Sequence, residues 1–329
     1  MPPTSAAWPW SSRECAISAT ETAAGAPPAA PRARQVITLN HLLLGLLVVA
    51  IWGSNFVVIK VALASFPPLL MAALRFATAT LPAIFFFRRP PVPWRNLAGY
   101  GLLIGGGQFS LLYLAMQSQI SPGLASLVVQ AQVLFTVVLA VLLEGERVRW
   151  FQLVAAALAL SGFAVIGLHT DGSTTWLGIA MTLGAGLCWA LGNMVGRQAG
   201  RVNMVAYMVW TSAFSVPPLI VLALLFEGGP VPLWHSIEAA PLLAWGAILW
   251  QSMANTILGY GLWAWLLSRY DAATVTPMAL LVPVFGMGSS VALLGEPFPP
   301  WKGAAMLLVM AGLSINVLWP RIRQRLIRG

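Results

Sequence analysis

Charged residues are scarce in this sequence of 329 residues, since Asp, Glu, Lys and Arg together make up only 8% of it while hydrophobic residues make up 59%. A soluble protein of this length could not bury so large an apolar fraction in one core, which excludes a soluble globular class. The composition predicts a polytopic membrane protein.

Cysteine and histidine are also rare. Cys15 and Cys188 are too few and too far apart for a disulfide framework or a thiolate metal site. His41, His169 and His235 lie near span ends or in loops, and none has a second ligand at metal spacing. We therefore expect neither a metal site nor a cofactor.

Sequence motifs for catalysis are missing. There is no GxxxxGK[ST] loop, and no HExxH, GxSxG or paired-carboxylate motif within a span. The chain is therefore not expected to hydrolyse nucleotide or to be an enzyme. No Asp or Glu lies in mid-span, where a buried carboxylate is the usual route to proton coupling. The energy source stays open between antiport, exchange and facilitated exit.

A hydrophobic hairpin occurs twice in the chain. VLLEGERVRWFQLVAAALALSG at residues 141–162 aligns without a gap with VALLGEPFPPWKGAAMLLVMAG at residues 291–312. Each copy has an apolar run, a Gly-Glu break and a second apolar run. The repetition indicates a duplicated membrane unit.

Ten apolar segments are long enough to cross about 30 Å of hydrocarbon. In chain order, spans 1 to 10 are predicted at His41–Leu63, Pro68–Phe87, Leu97–Gln117, Ser121–Leu143, Trp150–Leu168, Trp176–Val195, Met204–Phe226, Leu242–Leu267, Ala272–Leu294 and Trp301–Trp319. The fold class is therefore all-α, with ten transmembrane helices.

The distribution of positive charge predicts the topology. Alternate loops place 14 of the 18 Lys and Arg residues on one side, which makes both termini cytoplasmic. Five spans per half then make the two repeats antiparallel, a 5+5 inverted repeat. The net charge of +9 is explained by cations facing an anionic leaflet, so the expected partner is the lipid bilayer and not nucleic acid. The sequence leaves the oligomeric state open.

The predicted domain organisation has four parts. Residues 1–38 are a Pro/Ala-rich tail that we expect to be disordered and that has no apolar core of a signal peptide. Residues 39–168 form the first repeat, residues 175–319 the second, and residues 320–329 a basic cytoplasmic tail.

Arg75 is a charge inside span 2, where insertion costs at least about 2.5 kcal/mol. It could pair with a substrate carboxylate. It could equally snorkel outward or bind backbone carbonyls of neighbouring helices. For the shallower Lys60 we favour the second, structural interpretation.

An aromatic residue and an amide recur in the first span of each half. Trp52 and Asn55 share a face of span 1, and Trp189 and Asn193 share a face of span 6. The pairs suit a cavity for a small polar solute, although amides also join helices in membranes.

Other polar residues within spans are weaker candidates. Gln130 and Gln132 point about 200° apart on span 4, so at most one of them lines a path. Gln108, Asn255 and Tyr260 complete the predicted substrate-binding set. The pairs Gly101/Gly105 and Gly192/Gly196 are interpreted as close helix contacts.

Three segments resemble the EamA family of the drug/metabolite transporter superfamily. They are WGSNFVVIKVALASFPPLLMAALRF at residues 52–76, PGLASLVVQAQVLFTVVLAVLLEGE at 122–146 and GYGLWAWLLSRYDAATVTPMALLVPVFG at 259–286. The resemblance covers residues 42–319 and implies a ten-helix inner-membrane exporter with a central cavity. Such an exporter would release small amino acids and metabolites, with cysteine and O-acetylserine as the leading candidates.

The resulting hypothesis is alternating access around a central site. Arg75 would hold a carboxylate, Asn55, Asn193 and a glutamine of span 4 would form hydrogen bonds, and Trp52 and Trp189 would wall the cavity. The alternatives are an exporter of other amino acids or drug-like compounds, a membrane-embedded enzyme, or a subunit without transport. Cationic drugs are disfavoured because no mid-span carboxylate would receive their charge.

Overall fold

The computed structural model describes residues 37–145 and 147–328, which form one compact unit. Most of the predicted N-terminal tail, and Glu146 of the first Gly-Glu break, lie outside the described residues. Within the described part every regular element is helical, which confirms the all-α membrane class.

Nine helices of the described chain are long and apolar enough to cross a membrane. Spans 1 to 7, 9 and 10 run over Leu39–Leu63, Pro68–Phe85, Trp94–Ser118, Pro122–Leu143, Trp150–Leu168, Trp176–Gln198, Met204–Phe226, Thr276–Leu294 and Pro300–Pro320. The helix of span 10 continues to Arg328.

Span 8, predicted at Leu242–Leu267, is helical but is not among these nine. It consists of Leu242–Leu249, a π-helical stretch Trp250–Leu258, and Gly259–Arg269. Its middle carries four buried polar side chains, which lower its apolar character. They are Gln251, Ser252, Asn255 and Thr256.

The loop predicted after span 7 contains a further helix, Pro230–Ala239. Gly229, with φ of 83°, precedes it, and Pro230 occupies the first helical turn, where its missing N–H costs nothing. The turn signals were present, but ten residues without a long apolar run did not indicate a helix.

Backbone irregularities recur at equivalent places in the two halves. Span 3 contains a π-helical stretch at Leu102–Phe109, as span 8 does at Trp250–Leu258. Spans 4 and 9 each contain a 3-10 stretch, and each ends at a left-handed glycine, Gly145 with φ of 69° and Gly295 with φ of 65°. The glycines of the two Gly-Glu breaks in the sequence repeat are therefore helix C-caps.

The main helix contacts are the same in the two halves. When a span of one half contacts another span, the spans at the corresponding positions of the repeat, five places away, contact each other as well. Spans 2, 4 and 5 contact spans 7, 9 and 10. Span 1 lies against spans 8 and 9, and span 6 against spans 3 and 4. Span 3 contacts span 7, and span 2 contacts span 8. Such a pattern is expected of two five-helix units related by a two-fold axis.

Both glycine pairs permit close helix contact. A Cβ on Gly101 would lie 2.3 Å from the carbonyl oxygen of Thr211, and one on Gly105 would lie 2.2 Å from the side chain of Ser215. Span 3 therefore packs directly on span 7. A Cβ on Gly192 would meet Ile104 at 2.6 Å, so span 6 packs closely on span 3.

Charged side chains cap helices at the predicted outer end of the bundle. The Glu227 carboxylate accepts hydrogen bonds from the backbone N–H groups of Leu69 and Leu70, at 2.6 and 2.9 Å, and so caps span 2. Burial raises the pKa of Glu227, and these two bonds partly oppose that rise.

The Lys60 ammonium donates to the carbonyl oxygens of Met116 and Gln117, both at 2.9 Å. The structural interpretation of Lys60 is thus confirmed.

Glu296, in the second Gly-Glu break, caps span 4. It accepts hydrogen bonds from the Gly123 N–H at 3.1 Å and from the hydroxyls of Ser121 and Ser290. The Lys302 ammonium lies 2.7 Å away, and both side chains are almost fully buried. Burial raises the pKa of Glu296, but the hydrogen bonds from Lys302, Ser121 and Ser290 outweigh it and hold the pKa below its ordinary value.

We expect Glu296→Gln to destabilise the protein by about 3 kcal/mol, because Lys302 would be left buried without its counterion. Thermal unfolding in detergent measures the change. The pKa of Glu296 is lower in the folded state than its ordinary value of 4.5. The contribution of Glu296 to the free energy of unfolding is therefore present above pH 4.5 and is lost as the pH falls through the folded-state pKa. The difference between wild type and variant should therefore shrink at acid pH.

The double variant Glu296→Gln/Lys302→Met serves as the control. It removes both charges, so it should recover part of the lost stability. A single variant as stable as the wild type at neutral pH would show that the pair contributes nothing.

Candidate functional site

A small cavity lies between spans 2, 3, 7 and 8, so that each half supplies two of its walls. Its volume is about 20 Å³, roughly the room that one water molecule needs. The lining residues are Arg75, Phe76, Tyr100, Gly101, Ile104, Phe109, Met208, Thr211, Ser212, Ser215, Thr256 and Tyr260.

Arg75 is the one charged residue in this lining, and only 1% of it is exposed. Its Nη1 donates to the Tyr113 hydroxyl at 2.8 Å, and its Nη2 to the Thr256 hydroxyl at 3.1 Å. The guanidinium carbon lies 3.8 Å from the ring centroid of Phe109, a cation–π distance. Arg75 therefore does not snorkel outward, and among the described residues it joins span 2 to spans 3 and 8 through side-chain hydroxyls and not through backbone carbonyls.

The positive charge of Arg75 has no counterion in the part of the chain that the structure describes. Among the described residues no carboxylate lies within salt-bridge distance of it, and its Nε has no hydrogen-bond partner. Burying an unpaired charge lowers the stability of the folded protein. Such a charge therefore normally serves a function or binds a counterion reversibly. A ligand carboxylate would supply the missing charge.

Sequence reasoning missed the residues that hold Arg75. Tyr113 donates its hydroxyl proton to Gln251 Oε1, and both residues are fully buried. The Thr256 hydroxyl donates to the Gln251 carbonyl oxygen at 2.9 Å. The signal that could have found Gln251 and Thr256 is the polar cluster inside span 8. Tyr113 has no such signal, because a lone tyrosine in an apolar span usually packs.

Trp52, Asn255 and Tyr260 are brought together beside the cavity. The Trp52 indole N–H donates to the Asn255 carbonyl oxygen at 3.1 Å, and its ring lies 5.4 Å from that of Tyr260 and 5.1 Å from that of Trp263. Of these, Tyr260 lines the cavity. Trp52 instead joins span 1 to span 8.

The amides predicted on spans 1 and 3 lie outside the cavity lining. Asn55 and Gln108 are buried, and the oxygens Oδ1 and Oε1 of their side chains have no partner among the described residues. Each therefore retains an unsatisfied acceptor within the bundle.

The predicted residues of spans 4 and 6 are also absent from the cavity lining. Gln130 is buried, whereas Gln132, Trp189 and Asn193 are half-buried. Trp189 packs against the main hydrophobic core. The structure thus places Arg75 and Tyr260 in the cavity wall and the rest of the predicted set elsewhere in the bundle.

The bundle of long apolar helices defines a polytopic membrane protein. The profile of the EamA-like transporter family matches residues 39–168 and again residues 176–318. The chain therefore belongs to the EamA-like transporter family, and it is a transporter and not an enzyme.

Relatives with assigned names cover most of the chain. A probable amino-acid metabolite efflux pump of Salmonella typhimurium is 41% identical over 85% of this chain and 96% of its own length. Its counterpart in Escherichia coli strain K12 is 39% identical over the same shares. A probable terminal-alkyne amino-acid exporter of Streptantibioticus cattleyicolor is 26% identical over 82% of this chain and 90% of its own.

A solved crystal structure has the same fold. Its chain is 21% identical, and it superposes with a TM-score of 0.57 over 86% of this chain and 98% of the other.

The cavity wall depends on the contact of span 3 with span 7, and two adjacent glycines test it. We expect Gly105→Ala to destabilise the protein by about 1 to 3 kcal/mol, because the new Cβ would overlap Ser215. Gly106→Ala is the matched control, since a Cβ there meets nothing within 4 Å. It should be neutral or slightly stabilising. Equal thermal unfolding midpoints for the two variants would contradict the close contact.

Proposed function

We propose that this chain exports small amino acids and related metabolites across the bacterial inner membrane, with cysteine and O-acetylserine as the leading solutes. The observation that carries the proposal is Arg75, a buried cation in the wall of a cavity between the two halves, with no counterion among the described residues. A free carboxylate is common to amino acids and matches a guanidinium in charge and geometry. The names of the Salmonella and Escherichia relatives support this substrate class.

The transport mechanism in this proposal is alternating access between two inverted five-helix halves, residues 39–168 and 175–319, with both termini cytoplasmic. The exchange symmetry of the helix contacts supports it, as do the matching π-helical stretches of spans 3 and 8. A site bounded by two equivalent helices from each half can open to either side when the halves change their relative tilt. The small cavity corresponds to a state with little room for a solute.

In this mechanism Arg75 binds the solute carboxylate. The hydroxyls of Thr211, Ser212 and Ser215 on span 7 also line the cavity. Each donates its proton to a backbone carbonyl oxygen, so each can accept a hydrogen bond from the remaining polar groups of the solute. Of the other residues predicted from the sequence, Tyr260 contributes to the wall, and Trp52 fixes span 8 against span 1.

We expect Arg75→Ala to reduce efflux of labelled cysteine and O-acetylserine from liposomes by at least about tenfold, because the variant loses at least one charge-assisted hydrogen bond to the solute. Arg75→Lys keeps the charge and should retain part of the flux. Arg95→Ala, at an exposed arginine, is the control and should transport as the wild type does. The assay is run with and without an imposed pH gradient, and dependence on the gradient would indicate proton coupling.

Two results would count against this proposal. If the wild type moves neither solute, the substrate assignment fails and a wider amino-acid panel follows. If folded Arg75→Ala transports at the wild-type rate, Arg75 does not bind the solute.

The proposed topology is tested by cysteine labelling in a variant that carries Cys15→Ser and Cys188→Ser. We expect Gly172→Cys, in the exposed loop between spans 5 and 6, to react with a membrane-impermeant maleimide in intact cells. Val148→Cys, between spans 4 and 5, should react only after the cells are permeabilised. The reverse pattern would place both termini outside.

A further inference from the structure

Gln251 contacts both groups that hold Arg75. Its side chain is fully buried in the π-helical stretch of span 8. The amide oxygen accepts the Tyr113 hydroxyl proton, while the amide nitrogen donates to the Ala247 carbonyl oxygen at 3.2 Å. The amide is therefore fixed with its oxygen towards Tyr113.

The backbone of Gln251 orients the second hydroxyl. Thr256 is five residues further on, and its hydroxyl donates to the Gln251 carbonyl oxygen. Each hydroxyl has only one proton, so Tyr113 and Thr256 both direct theirs to Gln251 and both offer lone pairs to Arg75. One residue thus sets the direction of the two hydrogen bonds that hold the guanidinium.

This arrangement holds a cation without neutralising it. The partners of Arg75 and the residue behind them are uncharged, although glutamate has nearly the shape of glutamine and would supply a counterion. Of the five N–H donors of a guanidinium, two are used, and Nε is unpartnered. Among the described residues no oxygen bonds the remaining donors and no carboxylate opposes the charge, which leaves both to a ligand oxygen.

The opposite charge is missing from the cavity wall. No lining residue is an Asp or Glu, so an ammonium group would find only hydroxyls such as those of Thr211, Ser212 and Ser215. Such a site gains binding energy from a carboxylate, but it gains no ion pair from an amine.

We propose that Gln251 is the positioning residue that sets the charge selectivity of this transporter, so that solutes are selected by one free carboxylate and need no free amine. The inference rests on the proposed role of Arg75 in solute binding. The inference widens the substrate class beyond that of the proposed function, because it includes monocarboxylates whose amine is blocked.

The substrate class is tested on the purified wild type by thermal unfolding with two probes. N-acetylalanine has a carboxylate and no charged amine, whereas alanine methyl ester has the amine and no carboxylate. We expect N-acetylalanine to raise the unfolding midpoint in a saturable manner and the ester to have no such effect. Stabilisation by the ester, or none by N-acetylalanine, would overturn the inference.

The role of Gln251 is tested by Gln251→Glu, which adds a carboxylate behind Tyr113 without changing the side-chain shape. We expect the half-saturating concentration of N-acetylalanine to rise at least about tenfold, and the preference over the ester to disappear. Gln198→Glu makes the same chemical change at an exposed site at the end of span 6 and should bind as the wild type does. Wild-type affinity in folded Gln251→Glu would overturn the assignment.

Tyr113→Phe provides a second variant, which is useful if Gln251→Glu does not fold. It breaks the link between Gln251 and Arg75 but leaves the charge in place. We expect weaker binding of N-acetylalanine with the preference for it over the ester retained. Unchanged affinity would show that the link positions nothing.

The binding measurements are independent of flux, so the two proposals can fail separately. If liposomes export cysteine but N-acetylalanine does not bind, the exporter proposal stands and the charge-selectivity inference fails. If N-acetylalanine binds in a Gln251-dependent manner but cysteine and O-acetylserine are not exported, the solute assignment fails and the inference stands.

Discussion

The burial of one positive charge constrains the centre of this transporter. Arg75 lies in an apolar helix, and its two hydrogen-bond partners come from spans 3 and 8. Those partners need Gln251 for their own orientation, and Gln251 needs the π-helical turn that brings its carbonyl oxygen to Thr256. The π-helical stretch of span 8 is therefore part of the arrangement that supplies hydrogen bonds to the buried guanidinium.

The two halves contribute unequally to this centre although their helices correspond. Spans 3 and 8 both have π-helical stretches, but that of span 8 supplies Gln251 and Thr256 to the Arg75 network, whereas that of span 3 contains Gly105, Gly106 and Gly107 and the buried amide Gln108. The glycines of span 3 allow span 7 to approach closely. One stretch serves hydrogen bonding and the other serves packing, so the duplicated architecture supports a single asymmetric site.

The sequence was sufficient to predict most of the fold. Long apolar segments predict helices because the hydrocarbon core requires backbone hydrogen bonds to be made internally, and nine of the ten segments appear as long apolar helices among the described residues. Arg75 was identified because a charge in an apolar span is unusual. Its partners were not, since hydroxyl and amide contacts between spans 2, 3 and 8 depend on helix rotation and on a π-helical turn that spacing does not reveal. For the same reason Gln130 and Asn193 were placed near a cavity that other helices form.

The charged caps restrict how the bundle can rearrange. Glu227 of the second half caps span 2 of the first, and Glu296 with Lys302 caps span 4. Parting span 4 from span 10 would break the hydrogen bonds that the Glu296 carboxylate accepts from Ser121 and Gly123, at a cost of about 1.5 to 3 kcal/mol each. Functional states of a protein commonly differ by only a few kcal/mol. A change in the relative tilt of the halves avoids that cost if it keeps span 2 in contact with span 7, and span 4 in contact with spans 9 and 10, so these capped contacts are expected to act as the pivots of the movement.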